Sequence, residues 1–398
     1  MQDTTRRHGS WRRAAGVVAA VLTVSAGTAV PAAADTDPRG YLTKMKAQEM
    51  WKVADGSGIT VAVIDSGVTD LPGLKGRVLQ GISFMEPPFE RPDVTYPPHE
   101  DFVGHGTSMT AAIVGDGSAG SPRGLAPGAK VLPIRTSIGT PMAFAVASEA
   151  ARGIRYAADN GAKIINLSIG WTPDWPMDKV KPAVEYAQSK GALVFAAMGN
   201  EGERKNWTNA IAGLPGVIGV GAVGEDGKAM PFSSHGPDTD LTSIGGKVQI
   251  RCTENKGWCV GDGGTSYATS LVSASAALVW SAHPDWTANQ VARVLIQTAG
   301  GPIDGSKRSD WLGYGTARPR KVLLDHEGDP GAPDVDPLAA PAAAQPPAPG
   351  ADPTASVPPR AEAADAPTGI SWQWPTLGAA VAVGLGLGVT VMVKRRRG

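Results

Sequence analysis

The stretch Ile59-Thr60-Val61-Ala62-Val63-Ile64-Asp65-Ser66-Gly67 decides the fold. Six apolar or β-branched residues follow one another without polar alternation, which describes a strand buried on both faces. Such strands belong to parallel sheets covered by helices. Runs of the same kind recur at Lys130 to Ile134, Lys163 to Leu167, Leu193 to Ala197 and Val217 to Val220, and helical patterns at Ala143 to Asn160, Lys179 to Lys190 and Ser266 to Ala282 lie between or after them. This alternation predicts an α/β architecture, a mostly parallel sheet between two layers of helices. In such sheets binding sites gather where strands end and helices begin.

Composition narrows the function classes. The 398 residues include 51 Gly and 33 Pro, and much of the Pro lies late in the chain, so one sizeable globular domain accounts for the rest. Lys+Arg 37 balances Asp+Glu 37, leaving no global field to attract nucleic acid. A hydrophobic content of 42% can support a buried core, and two cysteines are too few for a disulfide scaffold.

Three motifs stand at strand or helix ends. Asp65 closes the first strand, where Gly67 lets the chain turn. Gly104-His105-Gly106-Thr107 opens a small-residue helix running to Val114, and His105 is the one of six histidines placed at a helix start between glycines. Gly263-Gly264-Thr265-Ser266-Tyr267-Ala268-Thr269-Ser270 leads into another helix, whose free N-terminal amides favour a developing oxyanion near Ser266. Singly, each has an ordinary reading as a turn Asp, a structural His or an N-cap Ser. Jointly, Asp65, His105 and Ser266 follow the order Asp, His, Ser, one of the three known orders of the Ser-His-Asp triad.

On VAVIDSGV, GHGT, NLSIG, AAMGN and GTSYA, the segment Met50 to Ala299 resembles the subtilisin-like serine proteases. The resemblance implies nucleophilic acyl transfer: Ser266 attacks a peptide carbonyl, His105 moves the proton, and Asp65 fixes the imidazole. It places Asn200 as an oxyanion donor beside the Ser266 backbone N–H. Leu167, Ser168, Ile169 and Gly170, with Ala197, Met198 and Gly199, match the edges that pair with an extended peptide. No cofactor or metal is called for. An esterase is a weaker reading, because the NLSIG edge suits peptides. Ser270 departs from the family's usual proline, Ala111 from a frequent glycine, and Ser243-Ile244-Gly245 from an Ala-Pro-Gly turn.

The ends read as membrane segments. Residues 1–34 carry Arg6, Arg7, Arg12 and Arg13, a small apolar run and Ala32-Ala33-Ala34, the pattern of a signal peptide. Residues 35–49 form a short extension, leaving no room for a long pro-domain before a peptidase domain at 50–327. Residues 328–371 are Pro- and Ala-rich and cannot bury enough surface to fold. As an extended tether they would reach about 130 Å. Thr376 to Val393 is an apolar run long enough to span a bilayer. Trp372 and Trp374 before it and the basic tail 394–398 after it place the domain outside the cell. In that oxidising setting Cys252 and Cys259, with six residues between them, are expected to form a disulfide.

This layout resembles the mycosins, membrane-anchored proteases of actinobacterial type VII secretion. It implies exported protein or peptide substrates and a partner in the secretion machinery. The alternative is a membrane-tethered structural component of the secretion complex with little proteolytic role.

Overall fold

A computed structural model describes residues 40–86, 93–137, 147–170, 177–252, 257–302 and 304–339. The signal-peptide, transmembrane and basic-tail segments lie outside them. Among the described residues no helix is long and apolar enough to cross a membrane.

The chain opens with two short helices, α1 (Gly40–Lys44) and α2 (Ala47–Met50), then β1 (Thr60–Asp65), β2 (Ile82–Ser83) and α3 (His105–Val114). Next come β3 (Lys130–Arg135), α4 (Ala147–Asp159), β4 (Ile164–Leu167), α5 (Val180–Ser189), β5 (Leu193–Ala197), β6 (Val217–Val223) and β7 (Leu241–Ile244). The hairpin β8 (Val248–Arg251) and β9 (Trp258–Gly261) precedes α6 (Gly264–Ala282), α7 (Ala288–Gln297) and α8 (Pro319–Leu323).

Seven strands form one sheet in the order β2-β3-β1-β4-β5-β6-β7. Every strand pair in it is parallel, as the unbroken apolar runs predict. The period of two decides which layer each residue joins. Val61 and Val63 face the core that contains α3 and α6, whereas Ala62 and Ile64 face α4 and α5. Helix α6 carries the first of these cores. It is buried from Gly264 to Trp280, which its small Ala and Ser side chains permit.

The described part of the N-terminal extension belongs to that core as well. Tyr41 and Ala47 are buried, as is Met50 at the start of the domain, and the Tyr41 ring meets Tyr267 edge-on at 6.3 Å, directly after Ser266. The beginning of the Pro-rich segment is also held on the domain. Arg293 of α7 donates to the carbonyls of Pro330, Ala332 and Val335, and Gln290 donates to that of Gly331. Composition indicates that this segment has no core of its own. It does not reveal that α7 offers it partners.

Candidate active site

Asp65 is buried at the C-terminal end of β1. Its Oδ1 accepts hydrogen bonds from Ser66 N (2.7 Å), Ser66 Oγ (3.1 Å) and His105 Nδ1 (2.8 Å). A carboxylate only accepts, so Nδ1 carries the hydrogen and Nε2 is the basic nitrogen of the neutral ring. The approach of α3 requires glycine at 106, where a Cβ would stand 2.2 Å from the Gly67 carbonyl oxygen and 3.1 Å from Asp65 Cβ. The His105 side chain keeps 38% exposure. Desolvation is the largest influence on its pKa and disfavours the cation. The charge and hydrogen bond of Asp65, with the charge of Asp101, outweigh it and raise the pKa above the ordinary 6.5.

Ser266 lies in the first turn of α6. The residue that follows β7 holds the turn, because the carbonyl of Gly245 accepts from both Gly263 N (2.8 Å) and Gly264 N (3.0 Å). The Ser266 hydroxyl donates to the Ser168 carbonyl at 3.2 Å and makes no bond to His105. In return Ser168 Oγ donates to the Ser266 carbonyl at 3.0 Å while accepting from Asn166 Nδ2 at 2.8 Å. Ser270, at the position of the family's proline, also donates to the Ser266 carbonyl at 3.0 Å. The helix is continuous there.

Asn200 follows the end of β5. Its Oδ1 accepts from Thr265 N (2.9 Å) and Thr265 Oγ1 (3.1 Å). A backbone N–H can only donate, so the oxygen must face Thr265 and the Nδ2 amide is the end left over. Gly264 has φ +70° and a Cβ there would lie 2.7 Å from Asn200 Nδ2, so two separate reasons demand glycine. Asn209 ties the two candidate peptide edges together, donating to Ile169 O (3.0 Å) and Ala197 O (2.9 Å). A cavity of about 420 Å³ opens between those edges, lined among others by Ser168, Gly170, Asn200, Trp207, Asn209 and Ser266. Leu167 and Met198 are buried behind the edges.

The geometry invites comparison with known folds. The family model for the subtilase family matches residues 56–328. The chain belongs to the subtilase family. It is 33% identical over 244 residues to the thermostable alkaline protease of Halalkalibacterium halodurans, an alignment covering 61% of this chain and 63% of that one. With subtilisin E of Bacillus subtilis it shares 35% over 248 residues, 61% of each chain. With subtilisin BL of Lederbergia lenta it shares 33% over 249 residues, covering 61% of this chain and 84% of the relative. The chain thus spans less than two thirds of the first two. Among solved structures, MycP1 from the ESX-1 type VII secretion system superposes with a TM-score of 0.63 at 25% identity, covering 74% of this chain and 88% of that one. The MycP3 protease from the type VII (ESX-3) system gives 0.59 at 29%, covering 73% and 90%.

Cys252 and Cys259 are joined by a disulfide across the hairpin. Among the described residues no cluster of His, Cys, Asp or Glu is arranged to hold a metal ion. Sequence reasoning missed Asp101, Arg135, Thr265 and Asn209. A signal existed for the first of these: α3 begins after Gly104 with no capping side chain at that residue, so its amides had to be satisfied from further upstream.

Proposed function

We propose that this chain is a serine endopeptidase that hydrolyses peptide bonds through an acyl-enzyme. The observation that carries it is the 2.8 Å bond between Asp65 Oδ1 and His105 Nδ1, which leaves Nε2 as a base. A change of χ1 would release the Ser266 hydroxyl from the Ser168 carbonyl and turn it towards that base. An extended peptide pairs with Ser168 to Gly170 and with Ala197 to Gly199. His105 takes the Ser266 proton as Oγ attacks the carbonyl, and Asn200 Nδ2 and the Ser266 N–H receive the oxyanion. His105 then protonates the leaving amine, and water, activated by the same base, frees the acyl group. The substrates are exported proteins of a type VII secretion system, by likeness to MycP1 and MycP3. Thr376 to Val393 anchors the enzyme, with the domain outside the cell.

The bond from Ser266 to Ser168 favours a second reading, in which the domain is a tethered structural part of the complex. Fluorophosphonate labelling of the full chain decides between them. Labelling that vanishes in Ser266→Ala supports the enzyme. A folded chain that does not label supports the structural role.

A further inference from the structure

The carboxylate of Asp101, four residues before His105, is not part of the three motifs, yet it accepts five hydrogen bonds. Its Oδ1 takes Ser66 Oγ (2.9 Å), Gly104 N (2.9 Å) and Val103 N (3.3 Å). Its Oδ2 takes Thr107 N (2.8 Å) and Thr107 Oγ1 (2.7 Å). Two consequences follow for His105. The residue before it and the residue two after it are tied to one carboxylate, so the first turn of α3 has one orientation. Further, Ser66 has a single hydroxyl hydrogen, and it lies between Asp101 Oδ1 at 2.9 Å and Asp65 Oδ1 at 3.1 Å, while Ser66 Oγ accepts Gly106 N at 3.0 Å.

We propose that Asp101 is a positioning residue of the acid–base couple, holding His105 against Asp65 through α3 and Ser66. The inference rests on the reading of His105 as the general base. Two arginine cations, Arg135 and Arg251, are favoured electrostatically by the charge of Asp101. Arg135, wholly buried at the end of β3, lies over the rings of Tyr96 (5.2 Å) and Phe102 (4.8 Å) and donates to Pro97 O at 3.0 Å. Its Nε and Nη2 have no hydrogen-bond partner; burial lowers its pKa, and the charges of Asp101 and Glu100 oppose that by favouring the cation. Arg251 of β8 presses its Cβ towards Gly104, and its N–H donates to Ser108 Oγ at 2.9 Å. The charged groups acting on His105 are therefore Asp65 from β1 and Asp101 from the preceding loop, and Arg135 and Arg251 are in turn coupled by charge to Asp101.

Asp101→Asn keeps one acceptor oxygen and removes the charge. In the full chain we would follow the fluorophosphonate labelling rate against pH, the melting midpoint, and the His105 titration by NMR of histidine-labelled protein. The maximal rate is expected to fall about tenfold or more, equivalent to about 1.4 kcal/mol in the barrier. The acid limb and the imidazole titration should both move to lower pH, because an anion that favours the cation is gone. Ser66→Ala, which keeps that charge but removes the shared hydroxyl, should slow labelling and leave the limb in place. It also serves if Asp101→Asn does not fold. A folded Asp101→Asn with unchanged rate and titration overturns the proposal, as does Ser66→Ala labelling at the wild-type rate. A wild-type chain that does not label overturns the general-base reading instead, and the imidazole titration still decides whether Asp101 acts on His105.

Discussion

Replacing Asn200 separates two jobs that one side chain performs. Its Oδ1 accepts two hydrogen bonds from Thr265, and each is worth about 1 kcal/mol net. Its Nδ2 is the proposed oxyanion donor, worth about 3 kcal/mol, or roughly a hundredfold to a thousandfold in rate. Asn200→Ala removes both, so it should label more slowly by that factor and also lose about 2 kcal/mol of stability, roughly 4 to 8 °C in melting midpoint. Asn200→Asp keeps an acceptor facing Thr265 and replaces the donor with an anion. It should melt near the wild type yet label at least as slowly as the alanine variant. The assay is the second-order rate of fluorophosphonate labelling at pH 8 beside a thermal melt. An Asn200→Asp chain that labels at the wild-type rate would refute the oxyanion assignment, and an Asn200→Ala chain with an unchanged melt would refute the anchoring by Thr265.

Burial raises the pKa of Asp240 to about 6, against the opposing hydrogen bond from Gly219 and the charge of Arg308. The folded state therefore holds this proton more tightly than the unfolded chain, and the stabilisation, complete below about pH 4, is lost as pH rises through about 6. Asp240→Asn should shrink the difference in stability between pH 4.5 and 7.5 by about 2 kcal/mol, and an unchanged difference in denaturant midpoints would count against it. Replacing Cys252 and Cys259 together by Ser opens a loop of eight residues, for which chain entropy predicts a loss of about 2.5 kcal/mol, measurable by urea unfolding. Arg293→Ala removes three donors to the segment after Gly328. Amide exchange at Gly331 to Val335 should then accelerate at least about tenfold while β1 keeps its protection, and equal exchange in both proteins would show that α7 does not hold the segment.

The buried strands were legible because a parallel strand covered on both faces must be apolar throughout, and ITVAVI, KIINL and LVFAA have no other economical reading. Shorter elements were not legible. β2 is two residues long, and α1 and α2 are five and four, too short for any period to show. The β8–β9 hairpin has no tight turn dipeptide at the place where its strands reverse.

What the sequence determined by itself was the sheet and its parallel sense; it also singled out Asp65, His105 and Ser266 as candidates, each where an apolar run ends or a helix starts and jointly in the order Asp, His, Ser, while Asn200 came from the family resemblance. Tertiary structure alone decided how those side chains are held. Asp101 meets Ser66 across thirty-five residues, Thr265 fixes Asn200 across sixty-five, and Ser168 engages Ser266 across ninety-eight. Hydrogen bonds between groups so far apart depend on how the strands are ordered and how the helices cross them, and no local pattern encodes that distance.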